Sequence, residues 1–169
     1  MIEPVVPEYR IGIGTDVHLL VPDRRLMLGG VQIPFHMGLV GHSDGDVVLH
    51  AVIDAILGAA AMGDIGTFFP DTDPQYKDAD SKGLLLDVRD KVAARNWHVV
   101  NVDLVIQLEQ PRLEPFKGQI RRCIADLLDM DFGSVNVKAK TAEGLGEIGQ
   151  GKAIAATAVA LLRQKARRP

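Results

Sequence analysis

The chain has 169 residues, 47% hydrophobic and 24% charged, with a formal net charge of −3; this suffices for one domain with a sizeable core and gives no electrostatic footprint for nucleic acid. Its single cysteine, Cys123, excludes an intrachain disulfide framework or a cysteine metal cage and reads as a core thiol in a reducing compartment. No apolar run free of polar residues is long enough to span a bilayer and none follows a basic N-region, so the expectation is a cytoplasmic protein without membrane contact, or a plastid one if a transit peptide has been removed.

Residues 1–9 hold two prolines and little pattern and are expected to form a flexible arm; 10–163 make one domain, and 164–169 a basic solvated tail. Residues 10–18 alternate as a strand, and 26–34 read as a hairpin turned on Gly29-Gly30. A helix over 46–62 follows, with Ser43 or Asp44 as cap and Gly63 as stop. On it Asp46, His50 and Asp54 fall at i, i+4 and i+8, one polar stripe expected to line a site. Residues 63–80 turn to Gly, Asp, Pro and Thr, a loop long enough to be a lid. Ser81 caps a second helix ending near Asn96, with Leu84, Leu85, Val88 and Val92 as packing positions. Residues 97–108 alternate as a central strand, and Pro115 opens a third helix with Ile120, Ile124, Leu127 and Leu128 on its apolar face. Residues 135–140 form a strand delivering Thr141 and Glu143 to a glycine-rich stretch, 144–151, which lacks the spacing of a Walker or dinucleotide motif. Residues 153–162 fit a helix by alanine content and a doubly buried strand by their apolar run.

Metal chemistry is concentrated in two phrases. In Asp16-Val17-His18, residues i and i+2 of a strand project from one face. His50 lies in a helix otherwise rich in Val, Leu, Ile and Ala, where an imidazole needs a partner. An Asp-x-His triplet alone is a weak motif, and a lone histidine is usually a surface or satisfied core residue; the three together make a zinc site. With only three protein ligands the fourth position stays open, which implies catalysis rather than structural stapling.

Across residues 10–162 the ordered phrases Gly14-x-Asp16-x-His18, Gly29-Gly30, His42-Ser43-Asp44-Gly45-Asp46, His50, Gly63-Asp64-Ile65-Gly66, Phe69-Pro70-Asp71-Thr72-Asp73 and Asn136-Val137-Lys138-Ala139 resemble the 2-C-methyl-D-erythritol 2,4-cyclodiphosphate synthases. The resemblance implies cyclisation of 4-diphosphocytidyl-2-C-methyl-D-erythritol 2-phosphate with release of CMP, a phosphorus–oxygen lyase step of the non-mevalonate isoprenoid pathway. It implies one zinc per subunit on Asp16, His18 and His50, and magnesium or manganese on Glu143 with the substrate diphosphate. His42 and Thr141 would assist the transition state. Ser43 and Asp54 would join the substrate site; Asp64, Ile65, Gly66, Phe69, Pro70, Asp71, Thr72 and Asp73 would meet the ribose and methylerythritol end. The nucleotide pocket would fall on Leu108, Pro111, Arg112, Leu113, Glu114, Ala139, Lys140 and Thr141.

The implied fold is α/β (α+β): a mixed sheet with three helices on one face plus a small hairpin, ferredoxin-like, assembled as a homotrimer with sites between subunits. It makes 153–162 a strand, against propensity. Contact with the preceding cytidylyltransferase is a further implied partnership. Where the family commonly has Gly-Arg-Gly-Glu, this chain has Gly149-Gln150-Gly151-Lys152, and Glu147 replaces a usual aromatic. Isoprenoid diphosphate binding on the trimer axis should therefore be weak, since glutamine lacks a guanidinium fork. The competing readings are a zinc-dependent phosphoesterase, releasing orthophosphate, and a non-catalytic nucleotide-binding trimer.

Overall fold

A computed structural model describes residues 8–164. Nearly all of the expected arm and tail lie outside these residues; of their described ends, Tyr9 and Gln164 belong to strands, not to an arm or a tail. Five strands form a mixed sheet in the order β4-β1-β7-β5-β6: β1 (Tyr9–Pro22), β4 (Met37–Leu39), β5 (Trp97–Gln107), β6 (Val135–Lys140) and β7 (Ala153–Gln164). Only β5 and β6 pair in parallel, joined across helix α4 (Lys117–Leu127); the other pairs are antiparallel. A separate hairpin, β2 (Leu26–Leu28) and β3 (Val31–Ile33), turns on Gly29 and Gly30 at φ 62° and 76°, the left-handed pair such a two-residue turn demands.

One sheet face is the core floor. Gly12 and Gly14 on β1 stand opposite Ala160 and Ala158 on β7, which in turn face Val102 and Leu104 on β5. These small residues let helix α1 (Val47–Ala59) lie almost on the sheet. A Cβ on Gly12 would come within 2.1 Å of the Ala55 carbonyl, and one on Gly14 within 2.1 Å of the Ala51 carbonyl. Helix α3 (Ser81–Ala94) packs on α1 and β5, and α4 on β6, so the three long helices share this face. Short helices α2 (Ile65–Phe68) and α5 (Gly146–Gly149) sit in the connecting loops. Among the described residues the opposite face is uncovered: Ile11, Ile13, Val17 and Leu19 are 74%, 68%, 60% and 59% exposed.

Boundaries deviate where caps decide them. Helix α1 starts at Val47 because Asp46, not Ser43 or Asp44, is its cap. The Asp46 side chain is fully buried and accepts N–H groups of Val48 and Leu49 at 3.1 Å, Gly29 at 2.8 Å and Gly30 at 2.6 Å. It therefore ties the helix start to the hairpin turn instead of belonging to a site-lining stripe. The helix ends at Ala59, short of Met62, because Ala61 turns left-handed (φ 55°). Asp80 rather than Ser81 caps α3, and Pro115 precedes α4, which opens after Phe116. Residues 153–164 form a strand despite their alanines, since β1 and β5 flank them on both sides.

Candidate metal and phosphate site

The close α1–β1 packing brings His50 against the strand that carries Asp16 and His18. Asp16 Oδ2 lies 2.9 Å from both His18 Nε2 and His50 Nδ1, and the two nitrogens are 3.2 Å apart. Three electron-pair-bearing atoms this close repel one another unless a proton or metal cation lies among them. Their spacing approaches the roughly 3.3 Å edge of a tetrahedron with zinc-length bonds, and the N, N, O donor set suits that ion. Burial disfavours charge on Asp16 and His18, but their hydrogen bond and mutual attraction prevail: the Asp16 carboxyl is held below the usual range and the His18 imidazolium is favoured, helped by a bond to the Val40 backbone. The other nitrogen of His50, Nε2, meets Ser43 Oγ and Ser81 Oγ, each at 3.1 Å.

Above the three ligands opens a cavity of about 440 Å³. Of the residues expected to bind substrate, His42, Ser43, Asp54, Ile65, Gly66, Phe69, Pro70 and Asp71 line it, together with the three ligands. Tyr76 and Leu84 also line it and were not read from sequence. Tyr76 could have been found as the one tyrosine of the acidic loop, and its ring meets Phe69 edge-on at 5.3 Å. Asp64 and Asp73 are turned to local work, capping α2 through Thr67 and a 3-10 turn through Gln75. Neither they nor Thr72 line the cavity. The loop is strapped to the ligand-bearing segment: Asp78 N–H donates to His42 O at 2.7 Å, and Asp44 N–H to Ala79 O at 3.0 Å. Asp54 does not reach His50; it accepts the Ile65 N–H at 2.7 Å and so fixes the start of α2. Burial raises its pKa, against that N–H bond and with the carboxylates of Asp64 and Asp16.

The remaining expected residues gather elsewhere. Leu108 N–H donates to Lys140 O at 3.0 Å where β5 and β6 end, followed by the cis Gln110–Pro111 bond. Arg112, Leu113 and Glu114 lead into α4, and Ala139 pairs with Ile106. Past Lys140, the Thr141 hydroxyl donates to the Glu143 carboxylate, and Glu143 has φ 52°. Glu109, missed in the sequence, shapes this loop by accepting Ala142 N–H at 2.9 Å and Gly144 N–H at 3.4 Å. Beyond it, Lys152 pairs with Glu147 at 3.3 Å. The two clusters share one end of the sheet, since His18 pairs with Ile154, and its neighbour Ala155 with Gln107, which pairs with Lys140. Strands β7 and β5 still separate them, an offset of roughly 14 Å.

The sequence model of the YgbB family matches residues 9–163, in the same span that holds both clusters. The chain belongs to the YgbB family. Among family relatives, the 2-C-methyl-D-erythritol 2,4-cyclodiphosphate synthase of Actinobacillus pleuropneumoniae serotype 7 is 54% identical over 90% of this chain and 97% of its own. A solved 2C-methyl-D-erythritol-2,4-cyclodiphosphate synthase, in a CDP-bound form, superposes with TM-score 0.84 at 37% identity, covering 90% of this chain and 99% of that one. The bifunctional IspDF from Campylobacter jejuni superposes with TM-score 0.91 at 43% identity; 95% of this chain is covered but only 43% of that longer one. The YgbB fold thus occurs both alone and as part of a larger chain.

Proposed function

We propose that this chain converts 4-diphosphocytidyl-2-C-methyl-D-erythritol 2-phosphate to 2-C-methyl-D-erythritol 2,4-cyclodiphosphate with release of CMP. The observation that carries this reading is the convergence of Asp16, His18 and His50 under an open cavity in a YgbB chain whose relatives bear that enzyme's name. A 2-phosphate oxygen bonds to the β-phosphorus while the bond from that phosphorus to the CMP oxygen breaks. The substrate carries its own nucleophile, so the protein folds it and spreads negative charge.

Asp16, His18 and His50 would hold zinc, and Glu143 magnesium or manganese; the ions would polarise the attacked phosphoryl group and neutralise the leaving side. His42, at the cavity mouth, supplies a donor to phosphate oxygens. Ile65, Gly66, Phe69 and Pro70 line the cavity and would shield the reacting phosphorus from water. Thr141 and the segments around Leu108–Glu114 and Ala139–Lys140 bind the nucleotide end.

Because strands β7 and β5 keep the clusters apart within one chain, we assign the working site to a subunit junction of a homotrimer. The exposed Ile11, Ile13, Val17 and Leu19 supply an apolar surface for such an assembly. Chains in which IspD and IspF units are joined support contact with the preceding cytidylyltransferase. No helix among the described residues is long and apolar enough to cross a membrane, in keeping with a cytoplasmic location. Incubating the protein with substrate, zinc and magnesium and following phosphorus NMR tests the reaction: equimolar CMP and cyclic diphosphate are expected, whereas orthophosphate would indicate a phosphoesterase.

A further inference from the structure

We infer that Ser81 and Asp44 act as positioning residues that lock the His50 ring with its Nδ1 lone pair toward the metal position. The inference rests on the metal reading above and on hydrogen-bond bookkeeping. Ser81 is fully buried at the first turn of α3, 31 residues from His50 in sequence. Its hydroxyl has one proton, and the Asp44 carboxylate beside it accepts: Ser81 Oγ donates to Asp44 Oδ1, while Ser81 N–H donates to Asp44 Oδ2 at 3.3 Å. An ionised carboxylate has no proton to give. The Ser81 oxygen must then be the acceptor toward His50 Nε2 at 3.1 Å, so Nε2 carries the hydrogen. In the neutral ring that leaves Nδ1 unprotonated, and Nδ1 is the atom facing Asp16 Oδ2 and His18 Nε2.

Ser43 cannot supply this direction alone. Its oxygen already accepts the Gly45 N–H at 3.2 Å, and its own proton is free to point at either Nε2 or Ser81 Oγ. Without Ser81 the Ser43 hydroxyl can donate to Nε2, which moves the ring hydrogen to Nδ1 and places it where the metal belongs. Asp44 sets the direction because both of its oxygens are used by Ser81. An asparagine there must aim its NH2 at a donor on either side, the Ser81 N–H on one and the Ser81 hydroxyl with the Asp46 N–H, 3.2 Å from Oδ1, on the other; turning the Ser81 hydroxyl toward His50 relieves only part of the second conflict. Carboxylate, hydroxyl and imidazole thus form a chain behind the ligand that fixes its tautomer.

The test compares zinc affinity, by chelator competition, in the parent protein and in Ser81→Ala, Asp44→Asn and Ser81→Thr, with thermal unfolding of each metal-free protein. Ser81→Ala and Asp44→Asn are expected to bind zinc about 10–100-fold more weakly. Ser81→Thr, which keeps the hydroxyl, should bind nearly as the parent does. If Ser81→Ala does not fold, Asp44→Asn against Ser81→Thr carries the same comparison. Tight zinc binding by the parent with unchanged affinity in folded Ser81→Ala and Asp44→Asn would overturn the inference while sparing the metal reading. A parent protein that binds no zinc would overturn both.

Discussion

Replacing Gly14 by alanine should damage the metal site from behind. The added Cβ would stand 2.1 Å from the Ala51 carbonyl, 2.5 Å from the Ala55 nitrogen and 2.7 Å from the Asp54 Cβ. Reaching an ordinary contact of 3.4 Å requires α1 and β1 to part by about 1.3 Å at this point. Two of the three contacts are helix backbone, so no side-chain rotation relieves them. Overpacking of this kind costs typically 1–3 kcal/mol, and a backbone obstacle puts Gly14→Ala near about 3 kcal/mol. The same displacement carries His50 away from Asp16 and His18, whose present separations are 2.9–3.2 Å. A misplacement of ~1 Å costs on the order of 100-fold in rate. Urea unfolding, chelator competition for zinc and CMP release measure the three effects. Gly83→Ala in α3 is the control: its Cβ meets nothing within 4 Å, so helix propensity alone should add about 0.5–1 kcal/mol. Parent-like stability and zinc affinity in Gly14→Ala, with Gly83→Ala behaving as stated, would refute the close-packing argument.

Four further outcomes are expected. His50→Ala should retain the fold by circular dichroism yet lose stoichiometric zinc by elemental analysis. Asp46→Ala strands four N–H groups that now share one buried carboxylate, and should lose at least about 3 kcal/mol in urea titration. Burial pushes the Cys123 thiol up, so its thiolate is scarce near neutrality; iodoacetamide labelling read by mass spectrometry should be slow at pH 8 relative to free cysteine and accelerate with rising pH. Refolding His50→Ala with Glu143→Ala at equal concentrations should restore about a quarter of parent activity. About three-quarters of randomly mixed trimers are hetero-trimers, each with one intact junction in three; no recovery in confirmed mixed trimers would place the site within one chain.

Much of the fold was legible because burial imposes periods on the sequence. The alternation in 135–140 marks β6 to the residue, and His50 announces a partner because its neighbours on α1 are apolar. What escaped depends on direction rather than period. The i, i+4, i+8 spacing groups Asp46 with His50 and Asp54, yet a residue at the cap position turns its side chain back along the chain, here onto Gly29 and Gly30. Ser81 suits a cap by composition, but Asp80 takes that role and leaves the serine facing inward. Contacts made by Ser43, Ser81 and Glu109 join segments far apart in sequence, with no local pattern to reveal them. Gly12 and Gly14, two residues apart on a strand, did carry a signal for the close approach of another backbone.

The position of β7 has a consequence for biosynthesis. The sheet's middle strand is the final described element in sequence, and its pairing joins residues as distant as Tyr9 and Arg163. While a ribosome has not yet reached Ala153, β1 and β5 have no strand to bridge them, and each offers an open edge beside apolar side chains. Pairings over such separations form slowly, and open edges recruit other chains. Nascent or prematurely terminated polypeptides lacking 153–164 should accordingly be retained by chaperones and cleared by proteases, so that mutations weakening this strand would act first on cellular yield.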